Sequence, residues 1–226
     1  MKKAKFISIE GGDGAGKSSV MQTIKEGLEN KGIPCIVTRE PGGTLLGQEL
    51  RGLILSNDFG DIDPKAELFM LQAARAQHIK EVILPNLKNG ITVISDRYVD
   101  SLYAYQGARG LDKKIMDQTT ELATGGLMPH NTIYLDLDPV VGMMRAKGRA
   151  KLDRIELAGL EFHKKVRDIF LERAKNEPSR IIVVNASKTI DLVKSDIIDI
   201  VDKIGSAKGR RMPNKIELGI QYGPGY

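Results

Sequence analysis

The stretch GGDGAGKS at residues 11–18 matches the pattern G-x-x-x-x-G-K-[ST] at every position. In this pattern the glycines let the backbone wind tightly, so that successive N–H groups point inward at a phosphate. Lys17 is the lysine that reaches the outer phosphates, and the hydroxyl of Ser18 can bind Mg²⁺. The stretch therefore predicts a phosphate-binding loop for a nucleoside triphosphate. Its residues are Gly11, Gly12, Asp13, Gly14, Ala15, Gly16, Lys17, Ser18 and Ser19.

Short apolar runs rich in Ile and Val precede and follow this loop and alternate with longer amphipathic segments. The predicted strands are 5–9, 34–38, 91–95, 132–136 and 180–184. The predicted helices are 17–31, 45–55, 64–86, 113–124, 157–176 and 189–204. Strands that are apolar on both faces and alternate with helices are typical of a parallel sheet with right-handed crossovers. We therefore predict an α/β fold of three layers, like that of P-loop NTPases, with a five-stranded parallel sheet flanked by helices.

Length and composition indicate a globular protein with one such domain. The chain has 226 residues, 41% of them apolar and 28% charged, and a net charge of +5, which excludes a disordered or disulfide-stapled chain. No apolar run approaches the roughly 18 residues of a membrane span, so we expect no membrane insertion. The single cysteine, Cys35, cannot form an internal disulfide, as suits a cytoplasmic protein. We assign residues 1–204 to one domain with a basic loop at about 145–156, and residues 205–226 to a C-terminal tail.

Charged residues follow the second and third predicted strands, at the edge of the sheet where the phosphate-binding loop also lies. Arg39 and Glu40 belong to the segment TREPGGT, and Asp96 and Arg97 open the segment DRY. A guanidinium at this edge can bind a second phosphate with two parallel hydrogen bonds. A carboxylate beside the loop is well placed to orient Mg²⁺ or its waters. These segments predict a second phosphate site that faces the first.

Five segments together resemble one enzyme family. They are EGGDGAGKSS at 10–19, TREPGGT at 38–44, AELFMLQAARAQ at 66–77, SDRYVDSLYAYQGARG at 95–110 and LDRIE at 152–156. In this order, over about residues 4–204, the chain closely resembles the thymidylate kinase family. The resemblance implies that the γ-phosphoryl group of ATP is transferred to dTMP with Mg²⁺, giving dTDP and ADP for dTTP synthesis. It also implies a cytoplasmic homodimer with small-molecule substrates and without a role for nucleic acid.

The resemblance implies roles for individual residues as well. The acceptor phosphate would be held by Arg39, Arg51 and Arg97. The Mg²⁺ shell would include Ser18, Glu40 and Asp96. The sugar and the base of dTMP would lie against Asp13, Leu71, Arg75, Ser101, Tyr105 and Gln106. Among these, Arg75 matches the arginine that reads the base.

The cation-rich segment RAKGRAKLDR at 145–154 matches the lid of the family. Arg149 is best placed there to approach the transferring phosphoryl group, with Arg145 and Arg154 on either side and Arg145 on the ATP side. Because Gly14 rather than an arginine follows Asp13, the chain resembles the bacterial pattern, in which the lid supplies the catalytic arginine. The predicted catalytic residues are Lys17, Arg39, Arg97 and Arg149.

Two positions depart from the family's pattern at the base. Leu71 stands where an aromatic residue usually stacks on thymine, and Leu102 stands where several relatives have a small polar residue. Either Phe69 or Tyr105 could supply the missing ring instead. The departures leave open a related kinase that acts on dUMP or on a 5-modified dUMP.

The net positive charge leaves open a protein of a different class, a nucleotide-dependent switch or a nucleic-acid-binding ATPase. Such a protein does not need a second phosphate cradle opposite the first, so Arg39 and Arg97 favour the kinase. The three histidines lie far apart in the sequence and show no metal-ligand spacing. We therefore expect them to have structural roles.

Overall fold

Five parallel strands form one sheet in the computed structural model, which describes residues 4–146 and 152–206. The strands are β1 (Phe6–Gly11), β2 (Cys35–Arg39), β3 (Thr92–Asp96), β4 (Asn131–Asp136) and β5 (Ile181–Asn185). Their order in the sheet is β2-β3-β1-β4-β5, and every neighbouring pair is parallel. The predicted five-stranded α/β fold is confirmed. Because the strands are parallel, their carboxyl ends meet along one edge of the sheet.

Nine α-helices connect or follow these strands in the described part of the chain. They are α1 (Lys17–Glu29), α2 (Leu45–Leu55), α3 (Pro64–His78), α4 (Leu84–Lys88), α5 (Val99–Ala108), α6 (Lys113–Thr124), α7 (Pro139–Ala146), α8 (Leu160–Asn176) and α9 (Ile190–Ser206). None of these helices is both long and apolar enough to cross a membrane. The helices cover both faces of the sheet, which gives the three predicted layers.

The helix predictions differ from the structure in two respects. The single helix predicted at 64–86 is divided into α3 and α4 by a π-helical turn at Ile79–Ile83. In addition, α5 and α7 were not among the predicted helices. Most residues of α5 are buried, polar and apolar alike, so its sequence lacks the amphipathic period that marks a surface helix. Residues 147–151 of the loop predicted at 145–156, and nearly all of the tail predicted at 205–226, lie outside the described residues.

The core lies on both faces of β1, the central strand. On one face, Val20 and Ile24 of α1 pack with Ile197 and Val201 of α9 against Ile9. On the other face, Phe6 meets Tyr98 edge to face, with 4.8 Å between ring centroids, within a cluster that also contains residues of the π-helical turn. Burial of these side chains holds β1 and β3 in place, and their carboxyl ends support the loops of the candidate site.

Candidate active site

A cleft with a cavity volume of about 410 Å³ opens at the carboxyl ends of β1, β2 and β3. Of the residues predicted for function, seventeen line it: Asp13, Gly14, Gly16, Lys17, Ser18, Ser19, Arg39, Glu40, Arg51, Leu71, Arg75, Asp96, Arg97, Ser101, Tyr105, Gln106 and Arg145. Leu102 lines it too. Residues that were not predicted complete the wall: Pro41, Ile54, Leu55, Glu67, Tyr98, Asp153 and Ile155. The tertiary structure thus brings the predicted residues together.

Three predicted residues of the phosphate-binding loop do not line the cleft. The side chain of Ala15 is buried in the core. The carbonyl oxygens of Gly11 and Gly12 accept hydrogen bonds of 3.1 and 3.2 Å from the Lys17 ammonium. These contacts hold Lys17 against its own loop, and burial and the nearby Arg97 guanidinium lower the pKa of Lys17 to about 8. A phosphate in the loop would therefore meet a partly desolvated cation.

The loop also packs tightly against α7. Gly14 has a φ of +74°, and a Cβ placed on it would lie 2.4 Å from the carbonyl oxygen of Gly142 in α7. A Cβ on Gly142 would in turn lie 2.5 Å from the carbonyl oxygen of Asp13. Both positions need glycine because no other residue leaves room for the opposing backbone. This packing fixes the loop relative to the helix that leads into the predicted lid.

The side chain of Arg97 projects toward the loop from a strained turn. Its φ of +66° is a left-handed conformation that non-glycine residues seldom adopt. The guanidinium lies 3.1 Å from the Ser101 hydroxyl and 3.4 Å from the Asp13 carboxylate, and it packs over the ring of Tyr105 at 5.0 Å. Strain of this kind persists where surrounding contacts enforce it, and it is common at functional sites.

Glu10 enforces that turn from beneath the cleft. Its buried carboxylate accepts the N–H of Tyr98 at 2.8 Å and the hydroxyl of Ser101. Burial and the neighbouring Asp100 raise the pKa of Glu10 to about 7. The residue is two positions before Gly12 in the sequence, yet only the folded structure shows that it supports the turn at Arg97.

Two further guanidiniums stand beside Arg97. Arg39 is exposed and lies 3.7 Å from the Asp96 carboxylate, and Arg51 donates to the carbonyl oxygen of Pro41 at 3.2 Å. Burial, together with the charges of Arg39 and Arg97, lowers the pKa of Arg51. Three cations this close repel one another, so the group favours a bound anion, as predicted for the acceptor phosphate.

Asp96 has an oxygen available for Mg²⁺. Oδ2 faces Arg39, whereas Oδ1 is buried and has no hydrogen-bond partner in the described part of the chain. Among the described residues there is no cluster of three or more His, Cys, Asp or Glu side chains that could hold a metal ion. One carboxylate and the Ser18 hydroxyl suit Mg²⁺, which keeps several waters and binds phosphate oxygens rather than an all-protein cage.

Glu40 lies in a different environment from the one implied by the resemblance. Both of its oxygens are occupied: Oε2 accepts from Arg75 Nε at 2.7 Å, and Oε1 lies 2.9 Å from His78 Nδ1. The other nitrogen of the His78 ring lies 2.6 Å from the Thr38 hydroxyl. A ligand role in the Mg²⁺ shell stays a prediction that these contacts do not support, because both carboxylate oxygens hold side chains. The contacts instead fix Arg75.

Arg75 and two leucines form the far end of the cleft. Arg75 Nη1 donates to Gln72 Oε1 at 2.9 Å, and the guanidinium lies 5.1 Å from the centre of the Tyr98 ring. Leu71 and Leu102 line the wall there, and their role in an aliphatic base pocket stays a prediction. Phe69 is 62% exposed and is absent from the lining, so it does not replace the missing ring. Tyr105 lines the cleft, with its ring against Arg97.

Glu67 and Arg154 form an ion pair that the sequence analysis did not identify. Glu67 is buried on α3 and accepts from Gln106 on α5 and from Arg154, near the C-terminal end of the predicted lid. Arg154 also donates to the carbonyl oxygen of Ile54 at 3.0 Å. A signal was present in the sequence: Glu67, Leu71, Arg75 and His78 are spaced by four, four and three residues, which places them on one face of α3. Polar residues on a buried helix face indicate a site.

The lid itself is described only at its two ends. Arg145, at the end of α7, lines the cleft and donates to the carbonyl oxygen of Ala186 at 3.2 Å. At the other end, the carbonyl oxygen of Leu152 accepts from Asn57 at 3.1 Å. Arg149, the predicted catalytic arginine of the lid, lies outside the described residues. Because Arg154 is held by Glu67, its position favours a structural role over an approach to the phosphoryl group.

Comparison with known proteins identifies relatives of this site. The family model described as thymidylate kinase matches residues 9–197. A thymidylate kinase from Marinomonas sp. (strain MWYL1) is 43% identical over 206 residues, which is 91% of this chain and 97% of that protein. One from Deinococcus radiodurans is also 43% identical over 206 residues, 91% of this chain and 100% of that protein. The crystal structure of thymidylate kinase from Ehrlichia chaffeensis superposes with a TM-score of 0.71 at 31% identity, covering 88% of this chain and 98% of that one.

Proposed function

Since the chain belongs to the thymidylate kinase family, we propose that the cleft between the phosphate-binding loop and α3 is the active site of a dTMP kinase. The enzyme transfers the γ-phosphoryl group of ATP to dTMP and yields dTDP and ADP, a step of dTTP synthesis. One observation supports this location of the active site. Lys17 of the phosphate-binding loop and Arg97 of the second predicted phosphate site line the same cleft. A switch or a nucleic-acid-binding ATPase would not require the second cradle.

The chemistry of the reaction explains why the cleft is rich in arginine and contains no histidine among its lining residues in the described ranges. The attacking atom is an oxygen of the dTMP phosphate, which is already ionised at neutral pH, so no general base is required. The work is alignment of the two phosphates and stabilisation of the charge between them. Lys17 serves the ATP side, the three guanidiniums hold the dTMP phosphate, and Arg149 is proposed to act from the lid.

We also propose that Ser18 and Asp96 hold Mg²⁺, directly or through its waters. When bound, the ion would neutralise part of the negative charge of the ATP phosphates. The buried and unpartnered Oδ1 of Asp96 supports this role. The hydroxyl of Ser18 sits one residue after Lys17 at the start of α1, where the backbone also favours an anion.

Replacing Asp96 with asparagine should raise the Mg²⁺ concentration needed for half-maximal rate. The variant keeps one oxygen but loses the charge, and such changes beside a metal typically cost about tenfold to a hundredfold in metal affinity or activity. Rates against total Mg²⁺ at saturating ATP and dTMP measure the effect. Asp117→Asn is the control, because Asp117 pairs with Lys113 on α6, outside the cleft. An unchanged Mg²⁺ dependence in Asp96→Asn would contradict the assignment.

Substitution of Leu71 by phenylalanine should tighten dTMP binding. Leu71 lines the base end of the cleft, and a ring stack adds about 0.5–1.5 kcal/mol beyond the buried area, which is up to roughly tenfold in affinity. Calorimetric titration with dTMP and with dUMP measures the change. Phe69→Leu should leave both affinities unchanged, because Phe69 is exposed on the outer face of α3. Weaker dTMP binding in Phe69→Leu would show that Phe69 supplies the ring.

We also propose that the protein is a homodimer in the cytoplasm. Large apolar side chains are exposed on three neighbouring helices: Leu45 of α2 is 86% exposed, Phe69 of α3 is 62% exposed, and Leu122 of α6 is 77% exposed. In the described fold α2 packs on α3, and α3 packs on α6. A surface of this kind favours burial against a second copy of the chain. The free thiol of Cys35 suits a reducing compartment.

A further inference from the structure

Gln106 presents one fixed end of its amide to the cleft. The side chain is buried, with 1% of the residue exposed. Its Nε2 donates to Glu67 Oε1 at 2.5 Å. Its Oε1 is buried and has no hydrogen-bond partner in the described part of the chain. Since Gln106 lines the cleft, this unpartnered oxygen is an acceptor available for a ligand.

Glu67 determines which end of the Gln106 amide is free. The Glu67 carboxylate is itself buried and is paired with two guanidiniums, those of Arg154 and Arg109, the latter with Nε 3.2 Å from Oε1. A carboxylate in such ion pairs accepts hydrogen bonds and cannot donate them. Gln106 must therefore turn its NH₂ group toward Glu67. Its carbonyl oxygen is then the only group that remains for a ligand.

Arg75, which lines the same cleft, supplies the opposite polarity. Its Nε and Nη1 are held by Glu40 and Gln72, and a guanidinium can only donate hydrogen bonds. The base end of the cleft thus offers a donor from Arg75 and an acceptor from Gln106. A pyrimidine with a carbonyl at C4 and an N–H at N3 matches this pair. Cytosine mismatches both, because it has an amino group at C4 and an acceptor at N3.

We propose that Glu67 is a positioning residue for base selection, which fixes the Gln106 amide so that the site accepts a 4-oxo pyrimidine and rejects a 4-amino pyrimidine. The inference rests on the proposed function in one respect, namely that the base of the monophosphate lies against Arg75 and Gln106. Glu67 does not touch the base itself. Its effect on selectivity is transmitted through the orientation of one amide.

The substrate pair that tests the proposal is dTMP and 5-methyl-dCMP, assayed with ATP. The two share the methyl group, the sugar and the phosphate, and differ only at N3 and C4. Wild-type enzyme should prefer dTMP in kcat/KM by at least about a hundredfold, because buried polar groups left unpaired penalise the wrong partner heavily. Glu67→Gln frees the Gln106 amide to turn, since glutamine both donates and accepts. The preference should fall about tenfold or more.

Two further variants separate amide orientation from other roles of Glu67. Arg154→Met removes the ion pair between Glu67 and the lid segment but leaves the Gln106–Glu67 hydrogen bond. This variant should therefore keep the wild-type preference for dTMP over 5-methyl-dCMP, even if its kcat changes. The exchanged pair Glu67→Gln with Gln106→Glu moves the single carboxylate of the pair to position 106, where it again presents only acceptor oxygen to the base. It should recover most of the preference for dTMP that Glu67→Gln loses.

Several results would overturn the proposal. One is a wild-type enzyme that uses 5-methyl-dCMP within tenfold of dTMP, which needs no variant and so holds even if Glu67→Gln fails to fold. Others are an unchanged preference in folded Glu67→Gln, or an equal loss of preference in Arg154→Met. Failure of the proposed function is distinguishable, because a wild-type enzyme would then phosphorylate neither nucleotide.

Discussion

Lys17→Ala should lower kcat by about a hundredfold to a thousandfold, the usual loss when one preorganised donor to the transition state is removed. The ammonium group of Lys17 donates hydrogen bonds to the carbonyl oxygens of Gly11 and Gly12 in the phosphate-binding loop. Steady-state rates with saturating ATP and dTMP measure the loss. Lys25→Ala is the matched control, because Lys25 lies on the same helix and pairs with Glu29 on the surface. Turnover above about a tenth of wild type in Lys17→Ala would refute the role.

The same lysine should make ATP binding depend on pH. Burial and Arg97 lower the pKa of Lys17 to about 8 in the free enzyme. The protonated form attracts phosphate, so affinity should be full below pH 8 and should decline as the pH rises above it, while bound phosphate shifts the pKa back upward. Calorimetric titrations of ATP at pH 7 and pH 9 give the dependence. It should be absent from Lys17→Ala, and a wild-type affinity that is level across this range would contradict the assignment.

Arg97→Ala should reduce kcat/KM for dTMP by about a hundredfold or more, since removal of one partner from a desolvated charge pair costs roughly 2–5 kcal/mol. The affinity for ATP should change far less, because Arg97 lies on the acceptor side of the cleft, against Ser101 and Tyr105. Alanine at this position has the same left-handed backbone as arginine, so the substitution adds little strain beyond that already present.

Separate calorimetric titrations with ATP and with dTMP test this division between the two phosphate sites. Arg167→Ala is a suitable control, because Arg167 is also paired with a carboxylate, that of Asp136, and does not line the cleft. Equal losses of ATP and dTMP affinity in Arg97→Ala would show that the guanidinium serves both substrates. In that case the two cradles are not independent.

Much of the proposed acceptor site could be predicted, because its residues follow strands directly. Arg39 and Asp96 are the last residues of β2 and β3, and parallel strands deliver their ends to one edge whatever the details of packing. Glu40 shows the limit of that reasoning. It is next to Arg39 in the sequence, yet its carboxylate points to Arg75 and His78. The direction of a side chain at a strand end depends on helices that pack there from elsewhere in the chain.

The contacts at the proposed base end of the cleft could not be predicted from the sequence. Gln106 and Arg154 follow Glu67 by 39 and 87 residues in the sequence. No local sequence pattern indicates that the three side chains meet. Leu71 and Phe69 are both apolar and lie two positions apart on α3. Only the orientation of that helix decides that one lines the cleft while the other is exposed.

The sequence by itself determined the phosphate-binding loop, the five parallel strands and the set of charged residues at their carboxyl ends. Loop chemistry and strand periodicity are local properties, encoded in contiguous residues whose spacing the backbone imposes. Only the tertiary structure decided the partners of Glu40, the turn that Glu10 holds at Arg97, and the free end of the Gln106 amide. A buried polar group takes its role from whichever donors and acceptors surround it, and these are brought together by packing between distant segments.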